Sequence, residues 1–353
     1  MKRLIIADVN SLNNKGISTG HFCALAQNYI DAFHNIGEVK AAGGPIYTTR
    51  LKKQDLIILP YDHTANSNYF KAKWHTLLNC KYLFSHVENN DVVVMQHSSA
   101  VTTFLGIALF AKKTNIIYLI QYSTDDIVSP IHKLFFKFAK RKIKGLLCPF
   151  KKIGEKFKIP YLVISDYLFT GIRNQTSNLD ICSDCQYDFS MVGRISPEKG
   201  IVDVVKKLAN TSFKILVAGR PQDQKIKSEI EEAALGASNI ELRLGFITDA
   251  DYYKLIRQSR YCILNYQGAY ANDRSSGVVL DMLYNGVPVI GHRCGALQFI
   301  EDEGLGFLYD DIKDFNPSLI MNKSFYVECK QSISNFINEQ RSQINNLKVF
   351  LKL

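Results

Sequence analysis

Residues 187–200 read YDFSMVGRISPEKG. Tyr187, Phe189 and Met191 alternate with other residues and run into Val192, which describes a strand. Gly193 ends it, Arg194 stands in the loop, Pro197 pre-sets a helix start, and Lys199 follows five residues after the arginine. Free backbone N–H groups at a helix start point outward and the helix dipole favours anions. Two cations beside them make a site for a diphosphate. Taken alone, the fragment serves equally well as a solvated surface turn.

Working outward, short β-branched runs alternate with amphipathic stretches over nearly the whole chain. RLIIADV, DLIILP, DVVVMQH, NIIYLIQY, GLLCPF and YLVIS come before; FKILVAGR, IELRLGF, RYCILNY and VPVIG come after. HFCALAQNYIDAFHNIG and DADYYKLIRQS have helical spacing. Such alternation implies βαβ units and parallel sheets. It pauses at Thr170 to Gln186, a polar, turn-rich stretch that reads as a linker. The expected architecture is α/β, with two doubly wound domains facing a cleft: residues 1–170, a linker over 171–186, and residues 187–326. A last helix over 327–353 is expected to pack back on the first domain. Ligands in such sheets bind beyond the carboxyl ends of the strands.

A second stretch, DRSSGVVLDMLYNGVPVIGH (residues 273–292), poses a problem of its own. Val278, Val279, Leu280, Met282 and Leu283 ask for burial, and Asp281 sits among them. An ionised carboxylate buried without a partner is costly. Ser275, Ser276 and Gly277 open the helix, where backbone N–H groups can take a phosphate oxygen. Asp281 lies four residues beyond Gly277, on the same side of the helix, where ribose hydroxyls could meet it. Asp273 precedes the helix, and Asn285-Gly286 closes it.

GRISPEKG together with Asp273-x7-Asp281 and GVPVI resembles the C-terminal domain of GT-B glycosyltransferases of the family-4 type, also called glycosyl transferases group 1. FKILVAGRP, IELRLGFITDADYYKLIRQSRYCILNY and CGALQFIEDEGLGFLYDD resemble further landmarks in the same order, so the likeness covers roughly Phe189 to Asp311. It implies two Rossmann-like domains and a retaining, nucleotide-sugar-dependent transfer that needs no metal or cofactor. Arg194 and Lys199 would hold the diphosphate and assist its departure. Asp273 would contact the donor sugar and Asp281 the ribose. Gly193, Gly219, Ser276, Gly277 and Val278 would border the phosphates, with Phe246 or Ile247 against the base. The family usually has Glu at positions 273 and 281, and often Glu at position 298, where this chain has Gln298.

In the first domain, Gly16 lies in a strand-to-helix turn like the family's acceptor-side loop, and His97 ends DVVVMQH where the family often has His. The family's His-Asp pair after the next strand is replaced by Gln121 and Tyr122. Asp125 and Asp126 could be read as a metal dyad, but the fold implied needs none. The acceptor implied is a glycan or lipid-linked glycan, as in the synthesis of bacterial surface polysaccharides such as capsule, O-antigen or exopolysaccharide. A catalytically silent nucleotide-binding partner of another transferase and a nucleotide-sugar epimerase remain open alternatives.

The net charge of +10 and pI of about 9.0 point to an anionic partner. Nucleic acid is not expected, because no recognition module is present. IHKLFFKFAKRKIKGLL (residues 131–147) carries lysines at helical spacing and no acid, which suits either an anionic membrane surface or a solvated basic rim. No run is long enough to span a membrane and the N-terminus is not a signal peptide. The expected location is the cytoplasm, free or at the inner face of the membrane. The eight cysteines, CSDC included, read as reduced and incidental thiols.

Overall fold

The structure, a computed structural model, describes residues 3–14, 17–18, 22–64, 68–96, 101–123, 127–165, 168, 185–268 and 276–353. The chain divides into two compact units, Met1–Gly171 with Gln340–Leu353, and Ile172–Glu339.

The first unit runs β1 (Leu4–Ala7), β2 (Leu12–Asn14), β3 (Ile17–Ser18), α1 (Phe22–Phe33), β4 (Val39–Gly43), β5 (Leu56–Ile58) and β6 (His63–Thr64). It continues with α2 (Tyr69–His86), β7 (Val92–Met95), α3 (Val101–Phe110), β8 (Ile116–Ile120), α4 (Pro130–Ala139), β9 (Ile143–Cys148), α5 (Lys151–Phe157) and β10 (Tyr161–Val163). Seven of the strands form a parallel sheet in the order β10-β9-β8-β7-β1-β4-β5, and β3-β2-β6 make a small second one. One face of the large sheet is covered by α2 to α5, whose Phe84, Phe104, Phe136 and Phe157 pack on Val93, Met95 and Leu119. The other face is covered by α1 and the end of the last helix, through Tyr29, Phe33, Leu347 and Leu351.

The strand β4 was not foreseen. Its sequence VKAAG is short and rich in Ala and Gly, which strands disfavour. The small residues are there for close approach: a methyl group on Gly43 would come within 2.5 Å of the Tyr47 ring. Helix starts follow familiar chemistry. The Asn68 side chain accepts from the Phe70 and Lys71 amides at the head of α2, and Ser129 accepts from His132 at the head of α4.

The second unit runs β11 (Tyr187–Val192), α6 (Ile201–Leu208), β12 (Ile215–Gly219), α7 (Gln224–Ala233), β13 (Ile240–Leu244), α8 (Asp249–Arg257) and β14 (Ser259–Leu264). Then come α9 (Gly277–Tyr284), β15 (Val289–His292), α10 (Gln298–Asp302), β16 (Gly306–Tyr309) and α11 (Lys323–Leu351). Its parallel sheet has the order β13-β12-β11-β14-β15-β16, so the chain reverses its direction of travel between β11 and β14. Phe189, Val205, Val217 and Ile290 belong to one buried cluster in this unit. Both sheets are parallel and flanked by helices, as the alternating pattern requires.

Among the described residues no helix is long and apolar enough to cross a membrane. Cys185 is disulfide-bonded, which departs from the expectation of reduced thiols; the other six described cysteines are free and buried.

Candidate functional site

Strand β11 ends beside β12 on one side and β14 on the other, so the loops that follow β11 and β14 diverge. That divergence opens a crevice at the carboxyl ends of a doubly wound sheet. The first loop begins with Gly193 at φ +116°, a value L side chains rarely adopt. Beside it Gly219 ends β12 at φ +149°, and a methyl group there would meet the Gly193 carbonyl oxygen at 1.7 Å. The two backbones are therefore in contact. The isolated bridge between Ile195 and Pro221 continues the pairing, with the Ile195 amide donating to the Arg220 carbonyl at 2.9 Å.

Past this contact the loop turns through Pro197–Lys199 and enters α6 at Gly200, again left-handed at φ +56°. Asn265, just beyond β14, fastens the turn. Its Nδ2 donates to the Gly200 carbonyl at 3.2 Å, while its Oδ1 accepts from the Tyr309 hydroxyl at 3.1 Å. Held in this way, Lys199 is only 9% exposed and has no acidic partner among the described residues. Burial pulls its pKa down to about 8, and Arg194 pushes the same way. A methyl group on Gly193 would lie 3.7 Å from Lys199 Nζ, 3.3 Å from Val278 Cγ2 and 3.9 Å from Tyr252 Cε2. The glycine, the lysine, the first turn of α9 and the side chain of Tyr252 thus converge on one spot.

Arg194 is exposed, with one long contact of 3.4 Å from its guanidinium to Gln222 Oε1. Ser276 caps α9 by position, and its hydroxyl is 2.5 Å from that of Tyr266. Asp281 is 3% exposed and its Oδ2 accepts from the Tyr252 hydroxyl at 2.9 Å. This resolves the puzzle of a carboxylate in an apolar helix: Asp281 has a partner within the protein. Tyr252 is a site residue the sequence reading did not single out, and nothing in DADYYKLIRQS separates it from Tyr253 beside it. Phe246, after β13, stands 63% exposed, and Ile247 is half-buried next to it.

The structure therefore brings Gly193, Lys199, Gly219, Gly277, Val278 and Asp281 to one end of one sheet. Asp273, Gly16, His97, Asp125 and Asp126 lie outside the described residues.

Residues 186–320 match the family described as glycosyl transferases group 1. No curated protein matches the chain by sequence. Among solved structures, a trehalose-6-phosphate protein of E. coli bound with UDP-2-fluoro glucose is similar with a TM-score of 0.71 and 10% identity, covering 99% of each chain. The UDP-forming α,α-trehalose-phosphate synthase of Burkholderia xenovorans, in complex with glucose-6-phosphate, has a TM-score of 0.70 and 11% identity over 99% of this chain and 100% of that one. AviGT4, a glycosyltransferase involved in avilamycin A biosynthesis, has a TM-score of 0.63 and 14% identity over 98% of each. The sheet order, the glycine-cation loop and the family match agree: residues 186–320 are a glycosyl transferases group 1 domain, and the chain is a glycosyltransferase with the two-domain GT-B fold.

Proposed function

We propose that the protein transfers a sugar from a nucleotide-sugar donor to a glycan or lipid-linked glycan acceptor, with retention at the anomeric carbon, in the assembly of a bacterial surface polysaccharide. The observation that carries this reading is Lys199. A cation buried with no acidic partner among the described residues is expensive, and a bound diphosphate supplies a compensating charge. Arg194, exposed on the same loop, meets the diphosphate from the solvent side. The start of α9 at Ser276, Gly277 and Val278 offers backbone N–H groups to its oxygens. Asp281, shared with Tyr252, accepts from the ribose, and Phe246 or Ile247 covers the base. Asp273 contacts the donor sugar.

In this reading residues 187–326 bind the donor, and residues 1–170, with Gly16 and His97, serve the acceptor. The leaving diphosphate takes the acceptor's proton on the face from which it departs, so preorganised positive charge supplies most of the catalysis. Neither metal nor cofactor enters. The protein works in the cytoplasm; of the basic stretch 131–147, only the part in α4 lies against the inner face of the membrane, because residues 143–148 form the strand β9 inside the sheet. Relatives in fold that bind UDP-2-fluoro glucose or form UDP support the choice of a nucleotide sugar.

A screen of nucleotide sugars for donor hydrolysis and thermal stabilisation tests the reading. One nucleotide sugar is expected to raise the melting temperature and to be slowly hydrolysed. Stabilisation by none of them, with none consumed, overturns it.

A further inference from the structure

The charge of this protein is concentrated in one segment. Residues 63–157 hold fourteen Lys and Arg against five Asp and Glu, a net +9 where the whole chain carries +10. That segment builds α2, α3, α4 and α5, the helices that cover one face of the first sheet. Neither α2, α3 nor α4 contains a single acid. Lys71, Lys81, Lys133, Lys137 and Arg141 are all exposed.

The same face leaves large apolar side chains in the open. In the first two turns of α2, Tyr69 is 67% exposed, Phe70 80% and Trp74 60%. On α4 and just ahead of it, Val128, Ile131, Leu134 and Phe138 are each about half exposed or more. Helix α3 packs against both α2 and α4, so the two groups stand about 20 Å apart, two helix spacings. Every helix that follows a strand in a parallel sheet begins at the sheet's carboxyl edge. The aromatic turn of α2 and the first turn of α4 therefore lie along the same rim.

We infer that α2 and α4 together form a two-point docking surface for an anionic lipid bilayer, with Tyr69, Phe70 and Trp74 entering the headgroup layer beside Ile131 and Leu134. The inference deepens the proposed function and rests on it only in making the acceptor lipid-linked. Solvated lysines alone would suit any polyanion. Aromatic and aliphatic side chains held out of the core beside them favour an interface that is anionic outside and apolar beneath. Tyr and Trp suit that layer because their rings are apolar while their polar atoms stay wet. Lys73, which lies 5.3 Å over the Tyr69 ring, can keep its ammonium at headgroup level while the ring goes deeper.

Trp74 is the only tryptophan in the chain, so its fluorescence reports on α2 alone. The experiment mixes the full-length protein with vesicles of phosphatidylcholine, with or without phosphatidylglycerol, and follows co-sedimentation and Trp74 emission together. Binding to the anionic vesicles alone is expected, with a blue shift and quenching by brominated lipid. Each of Lys133→Glu and Lys137→Glu should weaken binding at least about fivefold, and added salt should release the protein. The pair Tyr69→Ser and Phe70→Ser should weaken it about tenfold while leaving the melting temperature unchanged, because both side chains are exposed. Sedimentation without any change in Trp74 emission would overturn the inference, showing a polyanion site that no bilayer enters. So would equal binding to neutral vesicles, or none. Donor binding, measured by calorimetry without vesicles, is independent of all these outcomes, so failure here and failure of the donor reading are distinguishable.

Discussion

Just beyond the carboxyl end of β1, Asp8 is buried and fully engaged. Its Oδ1 accepts from the Asn10 and Ser11 amides, each at 3.0 Å, and its Oδ2 accepts from the Tyr47 hydroxyl at 2.9 Å. Nearby, Asp62 accepts from the Ile46 amide and from Asn13. In the loop after β11, at the corresponding end of the second sheet, Lys199 is buried almost as deeply and has no acid to answer it among the described residues. Both groups are expensive to bury, and burial moves both pKa values toward the neutral form, upward for Asp8 and downward for Lys199. What differs is who supplies the compensation. The carboxylate is answered by its own fold and acts as a brace between β1 and the turn carrying Tyr47. The lysine has no such answer among the described residues, and in the proposed function a ligand supplies it. Depth of burial does not separate a structural charge from a binding one, but the accounting of partners does.

The largest effect that would break this contrast is at Lys199. Lys199→Ala is expected to lower turnover on the order of 10²–10³-fold, as loss of a single preorganised charge stabiliser does, and Arg194→Ala to act in the same direction. The apo protein should become more stable. A lysine whose pKa falls from 10.5 to about 8 on folding costs on the order of 1–3 kcal/mol at neutral pH. An unfolded Lys199→Ala protein would mean that the lysine, too, is structural, and an equally active one that it takes no part in the transfer.

Next comes Asp281. Asp281→Ala should weaken binding of free nucleoside diphosphate about ten- to a hundredfold, the cost of about 1.5–3 kcal/mol for hydrogen bonds to a charged acceptor. A 2′,3′-dideoxy nucleotide should lose affinity for the wild type and not for the variant. Tyr252→Phe sharpens the test: it removes one internal donor to the carboxylate, so nucleotide affinity should hold or rise. Calorimetry on the three proteins separates a ribose ligand from a helix brace.

Asp8 is the control. Asp8→Ala strands the Ser11 amide and the Tyr47 hydroxyl and should cost about 1–3 kcal/mol of stability in denaturant titration, with nucleotide affinity unchanged. Asp8→Asn keeps an oxygen for the amides and discards the buried charge. Because the folded-state pKa of Asp8 is raised, its contribution to stability is lost as pH rises above the unfolded value, and Asp8→Asn should remove that loss.

Smaller still is the pH dependence of binding. If diphosphate keeps Lys199 protonated, affinity should be level below about pH 8 and fall at most about tenfold per pH unit above it. Apo stability should move the opposite way over that range, because the unfolded lysine holds its proton longer. Calorimetry in buffers of different ionisation heat would register the proton uptake. Last, EDTA is expected to leave turnover unchanged; loss restored by Mg²⁺ would bring Asp125 and Asp126 into the site.

Much of the second unit was legible because its constraints are those of backbone. A strand must stop at glycine where two loops part, and a helix start beside two cations has a recognisable spelling in GRISPEKG. Tyr252 was not legible, since its partner Asp281 is 29 residues away on another helix and only folding pairs them. The strand β4 escaped notice because contact with Tyr47 calls for Ala and Gly where strands ordinarily use β-branched residues. On the basic face, lysines at helical spacing announced α4 but overran it: the helix ends at Ala139, and Lys144 stands in β9, where the buried run GLLC takes over. The aromatic turn of α2 follows no such period.

The contact between Gly219 and Gly193 sets a limit on how this sequence can vary. At most crowded positions a larger residue can be accommodated if its neighbour shrinks. At Gly219 the obstacle is the Gly193 main chain, which no substitution can make smaller. Position 219 therefore has no second-site escape, and a library that varies the whole loop should return glycine there whatever else it accepts. Position 193 is confined by its own left-handed backbone, but the side chains around it are free to change, so its rare replacements should arrive together with changes at Val278.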